Sequence, residues 1–301
     1  MIELTDIEKE NKILKEKCES QQMMLDMTSA YMTQIREELE DSKAKLSEAY
    51  KHMKDGIKYA ERIQKSLLMS YEHVNEIFPN AFIYYKAKDI LSGDFYWFYQ
   101  DGPIKYVAAI DCTGHGVPGA MLTVLVNSLL VQIVKERKLR NPQGILAELD
   151  RLVDYHLSDE THQVEVKDGL DIAFCVFDTD QDILYFSGAH LPVYIIRNGE
   201  LVEYKGARYS LGDNSERKKV LNTQEIHLKQ GDCIYLFSDG YVDQFGGAKN
   251  QKFMKKNFRK LLLKHHDLPM AQQKKQLIEN ITSWKGGLKQ TDDILIIGIN
   301  Y

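Results

Sequence analysis

From Ile7 onward, apolar residues recur at alternating steps of four and three: Leu14, Cys18, Leu25, Met32, Ile35, Leu39, Leu46, Ala49, Met53, Ala60, Ile63 and Leu67. A stripe of that period sustained over many heptads predicts a long helix that winds with a partner into a left-handed coiled coil. Asn11, Gln21, Thr28 and Ser42 interrupt the stripe. Gly56 falls in it too, where a glycine costs about 1 kcal/mol relative to alanine. Two readings stand open for this segment: a dimerisation stalk, or a signalling helix whose rigidity near Gly56 controls the domain behind it.

Near residue 68 the pattern changes, which places a helical segment at 1–68 and a globular domain at 69–301. Short apolar runs bounded by turn residues then predict strands. These cover Phe82 onward, Asp94 to Tyr99, Lys105 to Asp111, Leu170 to Phe177, Ile183 to Ser187, Val193 to Arg197, Glu200 to Tyr204, Glu225 to Leu228, Cys233 to Phe237 and Ile294 to Ile299. Asn198-Gly199 is a two-residue hairpin signal. A Gly231-Asp232 turn is expected to pair the strands on either side of it. Helical periods cover Gly119 to Arg137, Pro142 to Leu157 with Asn141 as N-cap, Lys252 to His265 and Met270 to Ser283. The polar stretch Ser158 to Lys167 reads as a loop. Strands joined mainly by hairpins, with helices inserted in pairs, predict an α+β fold of antiparallel sheets with helices outside.

Composition narrows the class. With 301 residues and 44% apolar content, the chain can bury a sizeable core. A net charge of −5 leaves no overall electrostatic footprint for nucleic acid. The four cysteines lack CxxC spacing, and Cys175 and Cys233 lie inside apolar runs as small hydrophobes. Reduced thiols, and a cytoplasmic setting, are the default. The polar N-terminus does not read as a signal peptide, and no run approaches the ~20 apolar residues of a membrane span.

Four aspartates stand at the ends of apolar runs, in Gly93-Asp94-Phe95-Tyr96-Trp97, Asp111-Cys112-Thr113-Gly114-His115-Gly116, Ser238-Asp239-Gly240 and Thr291-Asp292-Asp293. Strand ends that bring carboxylates together repel one another unless a cation sits between them. Oxygen ligands without a Cys/His set point to magnesium or manganese rather than zinc. That is the outline of a two-metal hydrolase. Taken alone, Asp111 also reads as a helix N-cap.

This ordered set of motifs resembles the metal-dependent PPM (type 2C) protein phosphatase superfamily, and within it the SpoIIE/RsbU-type bacterial serine phosphatases. The resemblance covers roughly residues 76 to 301. Gly188-Ala189-His190-Leu191-Pro192, Leu211-Gly212 and the helix end Ala60-Glu61-Arg62-Ile63-Gln64-Lys65-Ser66-Leu67-Leu68 support it. It implies a four-layer α-β-β-α sandwich. Asp94, Asp111, Asp239 and Asp292 become the catalytic carboxylates, and these with the Cys112 carbonyl become the ligands of two Mn²⁺ or Mg²⁺ ions. Asp111 would bridge the ions, Asp239 and Asp292 would hold the second, and Asp94 would act through water. Asp243 is a candidate for a third ion and equally an ordinary surface carboxylate. His115 reads as a turn residue or as a proton donor to the leaving oxygen. Asp293 is expected to be structural, and Lys86 and Lys88 to be exposed strand lysines or phosphate contacts. Leu295 replaces the threonine common in relatives, and the role of 206–219, a flap or recognition segment, does not carry over.

The implied activity is serine/threonine protein phosphatase. The expected substrate is a phosphorylated STAS-domain protein in a partner-switching pathway, and the helix is expected to form a homodimer. Two rival readings are an idle scaffold of the same fold, disfavoured by the retained carboxylates, and a small-molecule phosphohydrolase, for which no nucleotide-binding glycine loop is evident.

Overall fold

The computed structural model describes residues 2–114, 116–157, 169–213 and 220–301, with side chains from residue 7 onward. His115 and the polar stretch 158–167 therefore lie outside the described residues, as do residues 214–219. The chain divides into two compact units, Met1–Gly56 and Ile57–Tyr301. Helix α1 runs Ile2–Leu67. Within the first unit every described side chain is exposed, including the stripe residues Leu14, Leu25, Leu39 and Leu46.

In the second unit, α2 (Tyr71–Ile77) leads into β1 (Ala81–Lys86), β2 (Asp94–Asp101) and β3 (Ile104–Cys112). Helix α3 (Val117–Leu130) continues as a π-helical turn over Val131–Glu136, and α4 spans Pro142–Leu157. Strands β4 (Leu170–Asp178), β5 (Ile183–Ala189), β6 (Val193–Arg197), β7 (Glu200–Tyr204), β8 (Gln224–His227) and β9 (Cys233–Phe237) come next. After the short α5 (Gly240–Asp243) comes a two-residue ladder of β10 (Phe245–Gly246) and β11 (Gln251–Lys252). Then α6 (Lys255–His265), α7 (Met270–Lys285) and β12 (Ile294–Asn300) close the chain.

Two five-stranded antiparallel sheets result, ordered β1-β12-β9-β6-β7 and β2-β3-β4-β5-β8. Strand periodicity of two sends successive side chains to opposite faces. On β3, Tyr106, Ala108 and Ile110 pack under α3 and α4, while Val107 and Ala109 fill the space between the sheets. On β12, Leu295, Ile297 and Ile299 face that same space, while Ile294 and Ile296 pack under α6 and α7. Strands covered on both faces need apolar residues at every position. This is why the runs read as continuous rather than alternating, and it is the expected four-layer α-β-β-α sandwich.

Several local expectations hold. Asn198 and Gly199 both take positive φ, 51° and 77°, as a type I′ hairpin turn requires. Asn141 Oδ1 accepts from the Gly144 amide at 3.3 Å, capping α4. Cys112, Cys175 and Cys233 are buried and unpaired. Others need correction. The Gly231-Asp232 turn does not pair its flanking strands: β8 joins β5 in one sheet and β9 joins β12 and β6 in the other. Helix α6 begins at Lys255, because Gln251 and Lys252 are taken by the ladder with Phe245 and Gly246. Residues Val117–Glu136 form a 20-residue apolar helical stretch, long enough by length and composition to cross a membrane. Leu122, Val126, Leu129, Leu130, Ile133 and Val134 of that stretch are buried in the core against α4 and the sheet.

Candidate active site

The register of β2, β3 and β4 sets Asp94 opposite Asp111, and Asp111 opposite Asp171. Alternation fixes their direction. Phe95 and Trp97 on β2, Ile110 and Cys112 on β3, and Leu170 and Ile172 on β4 all face the helix layer. The three aspartates, one step out of phase, therefore point into the gap between the sheets. Directly opposed like charges destabilise a sheet, so a rung of three carboxylates is an arrangement that packing alone does not select.

The other sheet completes the cluster. Ser238 follows β9, and its Oγ donates to Asp94 Oδ2 at 2.5 Å. Asp239 comes next, and Asp292 lies two residues before β12. The two loops touch: a Cβ on Gly240 would sit 1.8 Å from the Asp293 carbonyl oxygen, so only glycine permits this approach. Glycine serves the first sheet in the same way, since a Cβ on Gly119 would lie 2.3 Å from the Gly114 carbonyl oxygen. Asp293 is structural as expected: it is buried, and it accepts from the Lys88 and Gly93 amides at 2.7 Å each.

Electrostatics reflect this crowding. Asp94 is only 2% exposed, and burial raises its carboxyl well above the usual carboxylate range, with the neighbouring Asp111 adding to the shift. Burial does the same to Asp111, reinforced by Asp239, Asp171 and Asp292. Asp239 opens to solvent, yet its carboxyl is raised to about 6, first by the loss of surrounding water and then by Asp243 and Asp292. Asp171 is raised by burial, against a hydrogen bond from Ser210 and the nearby His190 charge. Among the described residues no Lys or Arg forms an ion pair with Asp94, Asp111, Asp171, Asp239 or Asp292. Lys252, whose charge favours the ionised form of Asp239, pairs with Asp243 at 2.6 Å, so Asp243 already has a partner.

These groups suit a hard divalent ion. Among the described residues, no three Asp, Glu, His or Cys side chains close around one point as a ready-made cage. Magnesium-type ions need no such cage; one or two carboxylates suffice, with water and substrate oxygens filling the octahedron. A donor set of clustered carboxylates without ion-pair partners among the described residues fits that chemistry.

All four aspartates expected from the sequence border this gap, and the Cys112 thiol faces the helix layer instead. Lys86 is exposed and Lys88 half-buried. Asp171 is a member of the cluster that sequence reasoning missed. Its signal was legible: a single charge inside the otherwise apolar Leu170-Asp171-Ile172-Ala173-Phe174 run.

The profile of the family described as Stage II sporulation protein E (SpoIIE) matches residues 105–301, which includes Asp111, Asp239 and Asp292 but not Asp94. Phosphoserine phosphatase RsbU of Bacillus subtilis (strain 168) is 23% identical over 234 residues, 76% of this chain and 64% of RsbU. Phosphoserine phosphatase RsbP of the same organism is 22% identical over 230 residues, 70% of this chain and 49% of RsbP. The chain thus spans about half to two thirds of the length of these relatives. The SiaA-PP2C domain of Pseudomonas aeruginosa superposes with a TM-score of 0.75 at 29% identity, covering 84% of this chain and 98% of that domain. The PP2C phosphatase domain of SpoIIE from Bacillus subtilis, solved with a fragment of its regulatory domain, gives 0.59 at 16% identity, covering 74% and 63%. By the extent of the family match and the shared sandwich, this chain belongs to the SpoIIE family of PP2C-fold proteins.

Proposed function

We propose that this chain is a divalent-metal-dependent serine/threonine protein phosphatase. One observation carries the reading: three carboxylates on adjacent strands face a gap that Asp239 and Asp292 enter from the opposing sheet, and none of the five has a Lys or Arg partner among the described residues. Asp111, the Cys112 carbonyl, Asp239 and Asp292 would hold two Mn²⁺ or Mg²⁺ ions, with Asp94 acting through water. Bound there, the ions supply an activated water and neutralise phosphoryl charge.

The chain's own groups hold this machinery in place. The Ser238 hydroxyl orients the Asp94 carboxylate. Asp293 pins the backbone just ahead of Asp94 through the Gly93 amide. The Cys112 thiol takes no part, because burial raises its pKa and it faces the helix-side core. No phosphoenzyme is required.

Phosphoserine is the expected substrate group, as in the names of RsbU and RsbP, and a phosphorylated STAS-domain protein is the expected carrier. In this reading residues 69–301 form the catalytic domain of a cytoplasmic enzyme. Residues 1–68 pair with a second copy through the exposed apolar stripe, and sedimentation of the full chain tests that pairing. A Cβ at Gly56 would meet nothing within 4 Å. Gly56→Ala therefore changes helix stiffness without a clash, and unchanged turnover would assign the segment to dimerisation alone.

The direct test is hydrolysis of p-nitrophenyl phosphate and of a serine phosphopeptide with and without Mn²⁺. Turnover should require the metal and be lost in Asp111→Ala and Asp239→Ala. Activity that survives chelation and both substitutions overturns the reading. Calorimetry showing no Mn²⁺ binding would favour the scaffold instead.

A further inference from the structure

The rung of aspartates does not end at β4. Ile172 lies opposite Ala189, so antiparallel pairing carried one step further sets Asp171 beside His190, where β5 stops. His190 takes φ 56°, a left-handed conformation that side chains other than glycine rarely adopt. On the far side of β5, Ala207 forms a parallel bridge with Ala189. The Ala207 amide donates to the Gly188 carbonyl, and the His190 amide donates to the Ala207 carbonyl, each at 2.7 Å. That bridge sets Arg208 next to His190. Two residues on, Ser210 Oγ donates to Asp171 Oδ1 at 2.6 Å, and Leu211 exchanges two 2.9 Å backbone bonds with Leu170. Segment 207–212 is thereby stitched to the ends of β4 and β5, on the side of the gap away from Asp94.

Charge gives this edge a task. The charged side chains that β2, β3 and β4 and the Asp239 and Asp292 loops bring to the gap are carboxylates, whereas a phosphomonoester is itself a dianion. Ions can neutralise the carboxylates, but phosphoryl oxygens turned away from the ions still need donors. Lys252 is engaged by Asp243. Arg208 is exposed and has no hydrogen bond or ion pair to any described residue. His190 is exposed and, by the strand register, stands beside Asp171. With neighbouring strands ~4.8 Å apart, His190 stands two spacings, about 10 Å, from Asp111. A guanidinium fork matches phosphate oxygens bidentately.

The geometry points to His190 and Arg208 as the pair that binds the substrate phosphate in this chain, with Asp171 orienting the imidazole and Ser210 holding Asp171 in place. This deepens the phosphatase reading and rests on it. The phosphate donors then belong to the β5 side of the gap and not to Lys86 or Lys88 of the β1 side.

The test is steady-state kinetics of the full chain with Mn²⁺, using p-nitrophenyl phosphate and a serine phosphopeptide, with inorganic phosphate as product inhibitor. Arg208→Ala and His190→Ala should each raise KM and the inhibition constant of phosphate at least about tenfold, the loss expected for a charge-assisted hydrogen bond. Arg208→Lys and His190→Gln should recover part of that loss. Calorimetric Mn²⁺ affinity should stay at the wild-type value in all four variants. Unmoved phosphate constants in both alanine variants overturn the inference. So does a shift seen in Lys88→Ala instead, or loss of Mn²⁺ binding in the alanine variants. If the wild-type chain turns over but these variants behave like it, the inference alone fails. If the wild-type chain shows no Mn²⁺-dependent turnover, the phosphatase reading fails and takes the inference with it.

Discussion

Strand β9 has an aspartate at each end, and the two are treated in opposite ways. Asp232, just before it, is 1% exposed and fully answered: Arg197 donates from Nε at 2.8 Å and from its terminal nitrogen at 2.5 Å, and the Lys229 amide donates at 2.8 Å. Asp239, just after it, joins Asp94, Asp111, Asp171 and Asp292 in a cluster with no arginine or lysine partner among the described residues. A buried carboxylate with its own cation needs nothing further, whereas a group of carboxylates without one is unfavourable until a cation arrives from solution. On the proposed function, the contrast separates an aspartate that serves the fold from one that serves the chemistry, at the two ends of one strand.

The largest effect that tests this contrast is catalytic. Asp111→Ala or Asp239→Ala should lower Mn²⁺-dependent turnover by at least about 10²–10³-fold, on the scale of removing a group that stabilises transition-state charge. Asp232→Asn should leave turnover per folded molecule unchanged. Equal losses at both ends of β9 would erase the distinction.

Stability should respond in the opposite sense. Arg197→Ala strands Asp232 as an uncompensated buried charge and should cost about 3 kcal/mol in urea unfolding. Asp94→Asn removes a charge that burial and Asp111 disfavour, so the metal-free chain should become more stable while its gain on adding Mn²⁺ shrinks. A loss of metal-free stability in Asp94→Asn would mean that the cluster is balanced by some internal partner.

The pH dependence comes from the same groups. Their folded-state pKa values lie above those of the unfolded chain, so the metal-free native state binds the extra protons. Their stabilising contribution is therefore full below the unfolded carboxylate values and is lost as pH rises, for Asp239 through about 6. Metal-free thermal midpoints should fall across that window, and saturating Mn²⁺ should flatten or reverse the slope.

The smallest effect concerns Lys252. Its pairing with Asp243 is largely exposed, so Lys252→Ala should change stability by no more than about 1 kcal/mol. If Asp243 contributes to a third ion, that substitution should tighten Mn²⁺ binding by freeing the carboxylate; unchanged calorimetric stoichiometry and affinity would leave Asp243 as a surface residue.

Local chemistry makes much of the molecule legible in its sequence. Continuous apolar runs marked the doubly covered strands, Asn198-Gly199 marked its hairpin and Asn141-Pro142 its helix start, because each depends on residues within a few positions of one another. The four motif aspartates were legible for a similar reason, since a charge at the edge of an apolar run stands out without knowledge of its neighbours. Tertiary structure alone decided the rest. That Asp94, Asp111 and Asp171 form one rung depends on the register of three strands spanning residues 94 to 178, and no short-range pattern encodes register across such distances. That Gly231-Asp232 crosses between sheets rather than closing a hairpin was settled by β5 and β12 competing for β8 and β9. That Asp232 pairs with Arg197 while Asp239 lies among other carboxylates with no ion pair of its own among the described residues depends on which chain ends the sandwich brings together, because electrostatic partners are chosen by position in space and not by order along the chain.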